Sequence, residues 1–222
     1  MAGPRDDLAE LIELIRDELA AVHVAREAGL NGSRRAIRAA GSAIRAVHRH
    51  QQDRAAALVE ECEQALREAQ GAVAPFPAVA HAGFIHDAEK EYAEAVLTAA
   101  LVGDDPLPDW CQLRVGIPAW LHGLCEAASE LRRHLLDRLR IGDVDTAERL
   151  LTAMEDCYEL LVTVDYPDAV TAGLRRAADS LRAVLERTRS DVTTTVLQLR
   201  LQAAIEASCR DRSVPDAPAA LD

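Results

Sequence analysis

Aromatic residues are scarce in this chain: Phe, Trp and Tyr together make up 3% of its 222 residues. Runs of β-branched and aromatic residues of strand length are missing too, and Gly and Pro gather at a few junctions. A sheet has little to be built from. The 49% apolar share is carried mainly by Ala and Leu, both strong helix formers. The expectation is an all-α, single-domain bundle of about six to seven helices, large enough to bury a sizeable core.

Lysine is almost absent. Lys90 is the only one among 25 basic residues, against 37 acidic residues, for a formal net charge of −12. That balance excludes a protein that coats nucleic acid through its overall charge, so any polyanion binding has to come from a local basic patch. It fits a salt-adapted organism or a GC-rich genome. The five cysteines are widely spaced and form no CxxC, and the pair His122 and Cys125 has no second pair to complete a zinc site. They read as reduced thiols, mostly in the core. The N-terminus lacks the basic-then-apolar order of a signal peptide, and no apolar run approaches the ~18 residues of a membrane span. The resulting expectation is a cytoplasmic protein with no membrane partner. G-x-S-x-G, H-E-x-x-H and Gly-rich phosphate loops are all missing, which removes the corresponding hydrolase and nucleotide-binding classes.

What is present is helical periodicity. A first helix is expected over residues 6–28, ended by Gly29-Leu30-Asn31-Gly32, with Leu8, Leu11, Ile12, Ile15, Leu19 and Val22 on one face. A second and longest helix is expected over 34–70, with Ile37, Ala40, Ile44, Val47, Leu58, Cys62, Ala65 and Leu66 toward the core. Ala74-Pro75-Phe76-Pro77 breaks the chain before a third helix over 80–102. The fourth opens at Gly116-Ile117-Pro118 and runs to Arg140. Gly142 reads as the residue that ends it, and Asp145-Thr146-Ala147-Glu148 as a capping box opening the fifth. A final helix or pair spans 168–208. The domain is taken as 1–210, with 211–222 as a disordered tail.

Two features carry chemistry. Arg34, Arg38, Arg45, His48 and Arg49 form a stripe on the second helix, and residues 33–54 hold six arginines and one aspartate. Such a stripe is either solvated or tracks a phosphate backbone. The other feature is acidic. Glu91 and Glu94 are spaced i,i+3 on the third helix, and Glu126 and Glu130 are spaced i,i+4 on the fourth, so each pair shares a helix face. If the faces meet, the carboxylates suit a hard divalent cation; if they do not, they are an acidic surface.

The segment Trp120-Leu121-His122-Gly123-Leu124-Cys125-Glu126-Ala127-Ala128-Ser129-Glu130-Leu131, followed by Ile141-Gly142-Asp143, resembles the core of the translin family. Phe76-Pro77 and Asp156-Cys157-Tyr158-Glu159-Leu160-Leu161 resemble it too, and the similarity extends over most of residues 33–185. Glu91-Tyr92-Ala93-Glu94-Ala95-Val96 is similar to the catalytic, translin-associated factor X branch, and suggests an archaeal relative of it. The resemblance implies that Glu91, Glu94 and Glu126 are catalytic, and that with Glu130 they bind Mg²⁺ or Mn²⁺. At Glu126 that branch has an aspartate, one methylene shorter. It further implies a metal-dependent endoribonuclease that cleaves single-stranded RNA inside a closed, hollow homo-octamer, with the arginine stripe tracking the RNA. The alternative within the family is a non-catalytic protein that binds single-stranded RNA or DNA.

Overall fold

The computed structural model describes the backbone of residues 4–212 and the side chains of 7–210. The described residues form nine helices and no strand: α1 (Pro4–His48), α2 (Gln52–Val73), α3 (Pro77–Ala80), α4 (Gly83–Gly103), α5 (Trp110–Leu113), α6 (Ile117–Arg140), α7 (Val144–Leu161), α8 (Asp168–Thr171) and α9 (Leu174–Arg212). Three of them are single turns, which leaves six long helices and an all-α bundle as expected. None is long and apolar enough to cross a membrane.

Helix α6 is central. It packs on α4, α7 and α9, while α1, α2 and α4 pack together on the other side. Leu66, Leu97, Leu131, Leu135, Leu150, Met154 and Leu181 are fully buried where these layers meet. The three interior cysteines, Cys62, Cys125 and Cys157, are buried free thiols, whereas Cys111 and Cys209 are exposed.

The first junction lies elsewhere than expected. Gly29 and Gly32 do not end a helix; α1 runs straight through them. A Cβ on Gly29 would lie 2.5 Å from Val73 Cγ1, and one on Gly32 would lie 2.9 Å from Ala69 Cβ, so both glycines are points where α2 crosses closely. The chain instead turns at Arg49–Gln51. His50 adopts the left-handed conformation at φ 56°, and the Gln51 amide donates to Ala46 O at 3.0 Å. This is a Schellman ending without the usual glycine. The second expected helix is therefore cut in two, its first part joined to α1 and its second part forming α2.

The second difference concerns length. At 1.5 Å per residue, α1 is about 67 Å long and α2 about 33 Å, so α2 can cover only the C-terminal half of α1. Leu8, Leu11, Ile12, Ile15 and Leu19, expected on one helix face, are exposed in the protomer. The apolar residues Leu197, Leu201 and Ile205 near the end of α9 are exposed as well.

At the α6–α7 junction Gly142 takes φ +79° and ends α6 as its position implies. The next helix starts earlier than the expected box, because the Asp143 side chain accepts the Thr146 amide and acts as the N-cap. The expected tail, 211–222, falls outside the residues whose side chains are described.

Candidate metal centre

Helix α4 carries Glu91 and Glu94, and α6 carries Glu126 and Glu130. The two helices approach closely beside these residues because Gly123 has no side chain. A Cβ there would lie 2.8 Å from Ala93 Cβ and 3.0 Å from both Glu94 N and Lys90 O. Ala93 and Ala127 are fully buried, so small residues line the contact from both sides. The axial register is held by Glu89. Its Oε2 accepts the Gly116 amide at the start of α6 at 3.0 Å, and its Oε1 accepts from Gln70 Nε2 at 2.7 Å. An α4 carboxylate thus satisfies one of the free amides of the α6 N-terminus.

This packing brings three of the four glutamates together. Glu91, Glu94 and Glu126 each offer a carboxylate oxygen, and these atoms lie within 4.8 Å of one another. Glu94 is only 7% exposed. Burial pushes its pKa from 4.5 up to about 9, reinforced by its hydrogen bond with Glu126 and by the charges of Glu126, Glu91 and Glu130. A carboxyl held neutral at the centre of an acidic group is one that a cation would ionise. Three hard oxygen donors suit Mg²⁺ or Mn²⁺. Mg²⁺ holds its oxygens at roughly 2.1 Å, so a common ion needs the triad to contract by about an ångström, within the reach of three glutamate side chains.

The sole lysine sits in this cluster. Lys90 Nζ donates to both Glu126 oxygens at 2.8 Å and lies 3.2 Å from Glu91 Oε1. In the sequence Lys90 stands out only as the one lysine, and its place directly before Glu91 is the signal that ties it to the acidic pair.

Glu130 is directed elsewhere. Its Oε2 accepts from His48 Nε2 at 2.7 Å, which holds its carboxyl below the usual range. His48, expected on the arginine stripe, is correspondingly buried. Arg34, Arg38, Arg45 and Arg49 are exposed, spread over about 22 Å of helix and turn. Among the described residues no carboxylate pairs with any of the four, although Arg45 Nη2 donates to Ser42 Oγ at 2.9 Å. Arg35, which is not part of the stripe, pairs with Glu68 of α2 at 2.9 Å. Near the end of the stripe His48 meets Glu130, which lies one helical turn along α6 from Glu126 of the triad.

Beyond that bond, His50 and His134 stack edge to face at 5.0 Å, and Arg138 Nη2 lies 2.7 Å from His50 Nε2. A cavity of about 800 Å³ opens there, lined in part by Val47, Val59, Val96 and His134. None of the triad lines it.

No protein-family model matches the chain. It is 28% identical to an uncharacterised protein of Methanocaldococcus jannaschii over 179 residues, 80% of this chain and 79% of that protein. Among solved structures it is similar to AfC3PO, known alone and as a complex with duplex RNA. The TM-score is 0.77 at 29% identity, covering 84% of this chain and 97% of that one. It shares the fold of apo-NeC3PO, with a TM-score of 0.74 at 18% identity, covering 88% of this chain and 98% of the other. These structural neighbours have the all-α translin/C3PO fold.

Proposed function

We propose that this protein is a metal-dependent endoribonuclease of the catalytic translin-like type. It acts on single-stranded RNA inside a closed, hollow homo-octamer. The observation that carries the reading is the convergence of Glu91, Glu94 and Glu126 from two helices, with ligand atoms within 4.8 Å, one of them buried and held neutral. Bound Mg²⁺ or Mn²⁺ would supply a water of lowered pKa and positive charge for the phosphate oxygens. The three glutamates would hold the ion, with Glu94 ionised in that state. Arg34, Arg38, Arg45 and Arg49, without acidic partners among the described residues, are left to bind backbone phosphates. With few aromatic residues for base stacking, sequence preference is weak.

Two observations support assembly. The N-terminal half of α1 and the last part of α9 expose apolar rows that the protomer does not cover. The similarity to AfC3PO, solved with duplex RNA, supports an RNA ligand and makes a duplex the natural second substrate in any assay.

The test is cleavage of a labelled single strand and a labelled duplex by the purified protein with Mn²⁺, repeated with EDTA and with Glu94→Gln. The proposal expects products with 3′-hydroxyl and 5′-phosphate ends, abolished by either change. Cleavage that survives either change sinks it. A second reading is a non-catalytic RNA-binding protein. It is favoured by Lys90, which already engages both oxygens of Glu126. It predicts binding without turnover under any metal.

A further inference from the structure

Lys90 is the only lysine in a chain with 24 arginines' worth of other positive charge, and it stands inside the acidic cluster. Its ammonium bonds both oxygens of Glu126 and bridges toward Glu91, so it holds lone pairs that would otherwise face a cation. Its side chain is 20% exposed, less than Glu91 at 26% and Glu126 at 42%, so the ammonium lies between the two glutamates within the cluster. Carboxylate sites for phosphate chemistry often hold two divalent ions about 3.5–4 Å apart.

We infer that Lys90 takes the place of a second divalent ion, making this a site for one metal ion and one tethered ammonium. The inference rests on the metal-nuclease reading above. Charge supports it. Three ionised glutamates carry three negative charges, Lys90 returns one, and a single divalent ion supplies the other two. A second ion would leave the cluster strongly positive and would have to displace the ammonium from Glu126. Geometry supports it as well. Glu91 and Glu126 come from different helices, and a cation joining them is what a bridging metal ion provides. The compact, freely rotating ammonium of lysine can do this within a tight cluster, whereas the broad planar guanidinium used elsewhere in the chain fits a pair of parallel oxygens. Lys90 thereby positions Glu91 and Glu126 for the single ion that the triad would hold, and keeps a fixed positive charge beside it.

The experiment counts bound Mn²⁺ per chain on the full-length protein, by calorimetry and electron paramagnetic resonance, for wild type, Lys90→Met and Lys90→Arg. Wild type is expected to bind one ion. Lys90→Met is expected to bind two, with RNA cleavage lower by roughly 100-fold at low metal and partly recovered at high metal. Lys90→Arg, which keeps the charge but not the compact ammonium, is expected to bind one ion with weaker affinity than the wild type. Two ions on the wild type, or one ion of unchanged affinity on Lys90→Met, overturns the inference and leaves the nuclease proposal standing. No ion on the wild type overturns both. A lysine that merely braced the fold would change thermal stability without changing the count. If Lys90→Met fails to fold, the wild-type count still decides.

Discussion

His48 Nε2 lies 2.7 Å from Glu130 Oε2, and this one contact ties the last turn of α1 to the middle of α6. A carboxylate can only accept, so the His48 ring carries its hydrogen on Nε2 and donates it. The His48 side chain is 2% exposed and Glu130 38%, so the bond is closed on one side and open on the other. His48→Ala leaves a cavity and frees Glu130. The expected loss is on the order of 1–2 kcal/mol, read from the urea midpoint. If Glu130 belongs to the metal site, the same variant alters Mn²⁺ affinity; unchanged affinity assigns Glu130 to the scaffold.

Gly123→Ala tests the packing that assembles the triad. Alanine gains about 1 kcal/mol of helix propensity over glycine. Its Cβ would meet Ala93 Cβ at 2.8 Å and backbone atoms of Lys90 and Glu94 at 3.0 Å. Overpacking of this kind costs about 1–3 kcal/mol, which outweighs the propensity gain. The expected result is a lower melting temperature together with weaker Mn²⁺ binding. A stabilised variant with intact metal affinity would contradict it.

Glu94 makes the metal-free protein sensitive to alkali. Its folded pKa is about 9 against an ordinary 4.5, so the folded state binds a proton that the unfolded state releases. The stabilisation is complete below about pH 4.5 and fades as pH rises toward 9. Glu94→Gln has no such proton. The melting temperature of the variant, minus that of the wild type, should therefore grow steadily from pH 5 to 9 in EDTA. With Mn²⁺ present the wild type should release close to one proton per chain on binding, measurable by calorimetry in buffers of different ionisation enthalpy. A flat difference and no proton release would refute the assignment.

Reversing Arg38 and Arg45 to glutamate should weaken RNA binding at every sequence tested, because phosphate contacts carry no base information. Loss of two such contacts lowers the slope of log affinity against log salt by about 1.4 for a single strand. Filter binding across a salt series reads both effects. Arg35→Glu, which breaks only the pair with Glu68, should leave the salt slope unchanged.

The acidic triad was legible because its members share helix faces and the segments around them resemble a known pattern. The roles of their neighbours were not. The i,i+4 spacing puts Glu130 on the same face as Glu126, but it cannot say that His48, 82 residues earlier, claims that carboxylate. Glu89 likewise reads as one more solvated acid until α6 brings the Gly116 amide to it. Gly29 and Gly32 look like a helix ending because glycine is a common terminator. They are in fact crossing points, a distinction that depends on α2 being alongside.

Helix content, the helices from α4 onward and most of the buried faces follow from local causes: the period of Ala and Leu, the prolines at Pro75, Pro77 and Pro118, and the glycine at Gly142. These act over a few residues and are written in order along the chain. The turn at His50, the partner chosen by Glu130, the neutral state of Glu94 and the placement of Lys90 on Glu126 depend on contacts between distant segments. Their energies come from burial and from charges brought within a few ångströms, and those quantities exist only once α1, α4 and α6 have packed.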